Sequence, residues 1–172
     1  FKHWSEIPDE FGLDGAGPFN YPKGSYSDDS EMSYPISLIA ARGDDLLEHI
    51  PELIGAWRDW FAQGPRDVGV QTRNVLSGLN SDSEEEARST SVNFLARTGR
   101  AAGNGALMRT APVALAYLDD LNTMSAAARR IAQLTHFEDD AWQSCVLWCA
   151  SIRHAILEGE LDYKVGLDLL PE

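Results

Sequence analysis

Basic residues are scarce in this chain. Lys and Arg total 14 against 27 Asp and Glu, a formal net charge of −13. Phosphate binding needs a clustered basic face, so no nucleic-acid partner is expected. Cysteine is rarer still: only Cys145 and Cys149 occur, too few for a disulfide framework. They sit four apart in an apolar helical pattern and share one helix face, which reads as two buried core thiols, with metal or redox chemistry as the alternative. No apolar stretch approaches the ~20 residues of a membrane helix, so no membrane partner is expected. The N-terminus lacks the basic segment and apolar run of a secretory signal. Free thiols without a leader give the expectation of a reducing, cytoplasmic location. Alternating β-branched runs, internal repeats and low-complexity tracts are also missing.

What is present is ordinary globular composition, 44% hydrophobic and 24% charged, which argues against general disorder. A length of 172 residues supports a single domain, one that buries about 70% of its unfolded surface and needs no staple to fold. Residues 1–27 carry Pro8, Gly12, Gly15, Gly17, Pro18, Pro22 and Gly24, the punctuation of a long loop. Such loops are usually functional or disordered. Helical patterns then follow over 30–42, with Pro35 expected to shorten or kink the first turns, and over 44–62, broken near Pro51. Further helices are expected over 67–79, from Ser83 to about Arg97, and over 106–118, 123–134 and 138–158, with another possible start at 161–170. The 138–158 helix carries Ala141, Cys145, Trp148, Cys149, Ile152 and Ile156 on one stripe. The class is all-α.

Four segments can carry chemistry. Gly24-Ser25-Tyr26-Ser27-Asp28-Asp29-Ser30-Glu31-Met32 places carboxylates and hydroxyls where the loop meets a helix. Hard cations take such oxygen ligands, while Asp28 with Glu31 reads equally well as an N-cap and its capping box. Gly103-Asn104-Gly105-Ala106-Leu107-Met108-Arg109, leading into Pro112, is either an interhelical turn or a loop whose backbone N–H groups approach a phosphate or sugar. Thr135-His136 falls at a helix boundary, where His136 can bind a substrate or satisfy the preceding carbonyls. Pro65-Arg66-Asp67-Val68-Gly69-Val70-Gln71-Thr72-Arg73 reads by itself as a helix start.

The order of these segments, GSYSDDSEM, PRDVGVQTR, GNGALMR and TH before an Ala-rich helix, resembles the ADP-ribosylglycohydrolase family over roughly residues 20–158. The resemblance implies an orthogonal helical bundle around a cleft, here one partial domain over 1–172, incomplete at both ends. It implies two divalent cations, Mg²⁺ or Mn²⁺, with Ser27, Asp28 and Asp29 matching the family's Thr-Asp-Asp ligands and Asp28 and Asp29 in catalytic roles. It places Gly103, Asn104, Gly105, Met108 and His136 against the substrate, an ADP-ribosylated protein or small molecule. The implied reaction is hydrolysis of the N- or O-glycosidic bond at ADP-ribose C1″, through a transition state with oxocarbenium character. The family's second metal motif, Asp-x-Asp-Thr, has no counterpart in these 172 residues. Two other readings stand beside this one: a non-catalytic homologue that binds ADP-ribose or a related nucleotide, and a helical interaction module, motivated by five Trp and the acidic surface. The five Trp read more simply as core or cleft packing.

Overall fold

The computed structural model describes residues 19–171. Residues 1–18 of the expected loop lie outside the described residues; 19–27 run as turns and extended chain into the first helix. Among the described residues there are seven α-helices and no β-strand: α1 (Asp28–Ala41), α2 (Ile50–Ala62), α3 (Val70–Leu76), α4 (Glu84–Thr98), α5 (Ala111–Ala116), α6 (Leu121–Gln133) and α7 (Asp139–Glu158). Short 3₁₀ turns occur at Leu107–Arg109 and Leu167–Leu169. The all-α expectation therefore holds.

Local chemistry sets several of these ends. Ser83 Oγ accepts the Glu86 amide at the start of α4, where Glu84, Glu85 and Glu86 occupy the positive end of the helix dipole. Asp120 caps α6 in the same way, accepting the Thr123 amide. Gly99 closes α4 at φ 69°, a left-handed conformation that a side chain disfavours, with its amide on the Leu95 carbonyl.

The proline positions behave differently from expectation. Pro51 starts α2 rather than breaking it, because a missing N–H costs nothing in a first turn. Pro112 does the same for α5, so the 106–118 pattern divides into a 3₁₀ turn and a short helix. Pro35 leaves α1 intact from Asp28 onward. That helix is tied to α2 near its start: Trp57 Nε1 donates to the Met32 carbonyl at 3.0 Å, and Trp60 Nε1 to Glu31 Oε2 at 2.8 Å. The 161–170 segment forms only the 3₁₀ turn.

The core joins Met32, Ile36 and Ile39 of α1 to Leu53, Ile54 and Trp57 of α2, Val113 and Ala114 of α5, and the α6–α7 pair. Ala127, Ala128 and Ala132 let α6 approach α7 closely. The buried stripe of α7 is Ala141, Trp142, Cys145, Val146, Cys149 and Ala150; Ile156, expected on it, is exposed. The stripe is broader than the sequence pattern because α7 packs on both α6 and α5. Both cysteines are fully buried and unpaired in disulfides, and burial pushes each thiol up to about 12. Inert core thiols are what the apolar pattern predicted.

Candidate functional site

The N-terminus of α1, the approach to α3, the 99–106 loop and the α6–α7 junction converge on one cleft of about 720 Å³. Asp28 and Asp29 reach it from the first turn of α1, and Asp67 from the segment before α3. Gly103, Asn104, Gly105 and Met108 form one wall, and His136 lines the cleft beside them. Every residue expected at the site except Ser27 lines this space; Ser27 is joined to it by its hydroxyl, which donates to Asp29 Oδ2 at 2.8 Å.

Asp28 is not the helix cap. The N-cap of α1 is Ser27, its side chain makes no capping bond, and Asp28 is the first helical residue. Glu31 does not complete a capping box, because its carboxylate accepts the Trp60 indole. Asp28 is buried. Burial, then Asp67, then Asp29 push its carboxyl up to about 6, opposed by a hydrogen bond from the Asp29 backbone. The neighbouring charges are thus of its own sign.

The glycine wall is there for space. A Cβ on Gly105 would fall 2.8 Å from Thr72 Oγ1 and 2.9 Å from His136 Cε1; one on Gly103 would fall 3.3 Å from His136 Nε2 and 3.4 Å from Gln71 Oε1. The loop therefore lies directly on Thr72, Gln71 and His136, and only hydrogen atoms fit between. Glu138 pins its near end by accepting the Ala101 amide. Gln71 Nε2 donates to the Thr135 carbonyl at 2.9 Å, locking α3 to the α6–α7 junction. Thr72 Oγ1 is buried at the cleft without a hydrogen-bond partner among the described residues.

Arg109 and Thr135 support His136 from below. Arg109 is fully buried, and its Nη2 donates to Thr135 Oγ1 at 2.7 Å. Thr135 Oγ1 is 2.8 Å from His136 Nδ1. Burial, reinforced by the Arg109 charge, holds the His136 imidazole down at about 3, so it is neutral at physiological pH. Asp67, Gln71, Thr72, Arg109 and Thr135 lie in segments that the sequence brings forward, but none of them is assigned a site role there. The Gln-Thr pair opening α3, polar where an apolar turn was available, is the signal for two of them.

Among the described residues no three His, Cys, Asp or Glu side chains already converge on one point. The donor chemistry still suits a hard cation. Two adjacent carboxylates and a hydroxyl supply oxygen only, and a buried carboxylate crowded by like charge is relieved by a cation. Magnesium keeps several waters and needs only one or two carboxylates.

The described residues thus form an all-α bundle in which an acidic pair and a glycine loop line one cleft. The sequence profile of the ADP-ribosylglycohydrolase family matches residues 1–171, and the chain belongs to that family. It is similar to the protein L543 of Acanthamoeba polyphaga mimivirus, which is named as an ADP-ribosyl glycohydrolase, at 29% identity over 152 residues, 84% of this chain and 43% of the relative. A solved structure described as an ADP-ribosylglycohydrolase-related protein complex superposes with a TM-score of 0.60 at 25% identity, covering 88% of this chain and 47% of that one. The chain thus spans less than half the length of these two relatives. No described helix is long and apolar enough to cross a membrane.

Proposed function

We propose that the whole protein hydrolyses the N- or O-glycosidic bond that joins ADP-ribose C1″ to a modified acceptor, with Mg²⁺ or Mn²⁺ as cofactor. The observation that carries this reading is the buried Asp28 carboxylate, flanked by Asp29 and Asp67, across one cleft from Gly103–Gly105 and His136. Family membership supports it.

Ser27, Asp28 and Asp29 would hold a cation, which when bound orients ribose hydroxyls and lowers the pKa of water. The close-lying loop from Gly103 to Gly105 offers backbone amides to the ADP-ribose, and Met108 contributes apolar surface beside it. His136 contributes a neutral polar edge. Asp28 or Asp29, when ionised, accepts a proton from the attacking water as general base. Loop and helices together keep the glycosidic carbon in a defined orientation as oxocarbenium character develops.

The test is release of ADP-ribose by the whole protein from ADP-ribosylated arginine and serine substrates with either metal. Asp28→Ala and Asp29→Ala are each expected to abolish release while helical content is kept. Full rate in both variants would remove the two carboxylates from the mechanism. ADP-ribose binding without turnover would favour a non-catalytic reader of the same ligand.

A further inference from the structure

The contacts beneath the cleft specify a protonation pattern as well as a position. A guanidinium donates and never accepts, so Thr135 Oγ1 is the acceptor in its 2.7 Å contact with Arg109 Nη2. The Thr135 hydroxyl keeps one proton to donate, and among the described contacts the nitrogen within its reach is His136 Nδ1, at 2.8 Å. Nδ1 therefore accepts, and the imidazole proton resides on Nε2. The opposite tautomer would aim two donors at Thr135 Oγ1 and strand its own proton in a buried site. Burial and the Arg109 charge disfavour the doubly protonated ring for the same electrostatic reason.

Arg109 cannot easily leave this arrangement. Its guanidinium lies 3.9 Å from the Trp57 ring centroid, Nη2 also reaches the Ile131 carbonyl at 3.4 Å, and Nη1 approaches Met32 Sδ at 3.7 Å. On the other side of the ring, Nε2 faces the glycine wall, 3.1 Å and 3.3 Å from where Cβ atoms of Gly105 and Gly103 would stand.

We propose that Arg109 and Thr135 are positioning residues that hold His136 in the Nε2–H tautomer, so that it presents one fixed hydrogen-bond donor at the Gly103–Gly105 wall of the cleft to an oxygen acceptor of the ligand. The identity of that ligand as ADP-ribose rests on the proposed function; the tautomer does not. A neutral donor set from beneath the site keeps its orientation whether or not ligand is present, which spares it reorganisation on binding.

The experiment is long-range ¹H–¹⁵N correlation on ¹⁵N-histidine-labelled protein near neutral pH, with His136 assigned by its loss in His136→Asn. The expected spectrum shows Nδ1 as the unprotonated and Nε2 as the protonated ring nitrogen. Thr135→Ser, which keeps the hydroxyl, should preserve that pattern, and Thr135→Val should replace it with a mixture of tautomers. A wild-type Nδ1–H tautomer, or an unchanged pattern in Thr135→Val, overturns the proposal. If Thr135→Val does not fold, the wild-type and Thr135→Ser spectra decide alone. Addition of ADP-ribose should then move the Nε2 signal. A correct tautomer with no response to ADP-ribose would count against the ligand assignment and leave the positioning roles standing.

Discussion

The Arg109 guanidinium stacks on the face of Trp57, 3.9 Å from the ring centroid, and neither side chain reaches solvent. A chain of net charge −13 thus keeps a cation in its core with no carboxylate among its described hydrogen-bond partners. Its Nε has no hydrogen-bond partner among the described residues, and burial pushes the guanidinium down to about 9. The ring face supplies electrostatic compensation that an aliphatic residue would not.

Trp57 should therefore be among the costliest residues to remove. Trp57→Ala is expected to destabilise by about 3–5 kcal/mol from lost packing, with the uncovering of Arg109 in addition. Trp57→Phe keeps a ring over the guanidinium but loses the indole hydrogen bond to the Met32 carbonyl, so its cost should be nearer 1–2 kcal/mol. Urea unfolding measures both. Equal costs for the two variants would mean that the aromatic face does little for Arg109.

Gly105→Ala should act on the site more than on the fold. The new Cβ would meet Thr72 Oγ1 at 2.8 Å, so the loop must lift away from Thr72 and His136. The expected stability loss is about 1–3 kcal/mol, the usual range for overpacking. Calorimetric binding of ADP-ribose should fall by more than that of Gly103→Ala, whose Cβ contacts begin at 3.3 Å and require a smaller adjustment. Equal binding by the two variants would detach the loop from ligand recognition.

These contacts explain what was legible in the sequence and what was not. Helix ends written in short-range chemistry are readable: Ser83, followed by three glutamates, opens α4. Proline was harder, because its effect depends on its place in the helix: Pro51 and Pro112 sit in first turns and Pro35 does not. Asp28 looked like a cap since spacing alone cannot tell an N-cap from the residue after it. The resemblance brought forward the residues that face the cleft. The support beneath them was hidden because it joins positions far apart in the chain, Gln71 to Thr135 across 64 residues and Arg109 to Thr135 across 26. No local pattern encodes such pairs.

His136 predicts an acid limb of stability. Its folded-state pKa, about 3, lies below the unfolded value near 6.5. The neutral buried ring therefore contributes fully above pH 6.5, and the contribution is lost as pH falls toward 3, because only the unfolded chain takes up the proton in that window. The slope from this group reaches about 1.4 kcal/mol per pH unit. Asp28, raised to about 6, acts in the opposite direction below that pH, so the comparison must be made against His136→Asn and not on the wild type alone. Between pH 6.5 and 4.5, chemical denaturation should show a flatter loss of stability in His136→Asn. Parallel curves would mean that the ring is charged in the native protein.

Asp28 should show a trade between stability and function. Without a cation, its carboxylate is buried and faces Asp67 and Asp29, so the ionised form is unfavourable. Asp28→Asn removes that charge at nearly constant shape, and should raise the metal-free stability at pH 7 by about 1–2 kcal/mol. The same change removes an oxygen donor that a hard cation requires. Mg²⁺ or Mn²⁺ at about 100 times its dissociation constant should stabilise the wild type by about 2.7 kcal/mol, and Asp28→Asn by far less. Thermal melts with and without metal thus give two independent signs from one substitution: up in its absence, and a lost increment in its presence. A variant that melts lower than wild type without metal would show that Asp28 is a structural carboxylate, satisfied where it stands. A variant with the full metal increment would show that the cation binds elsewhere.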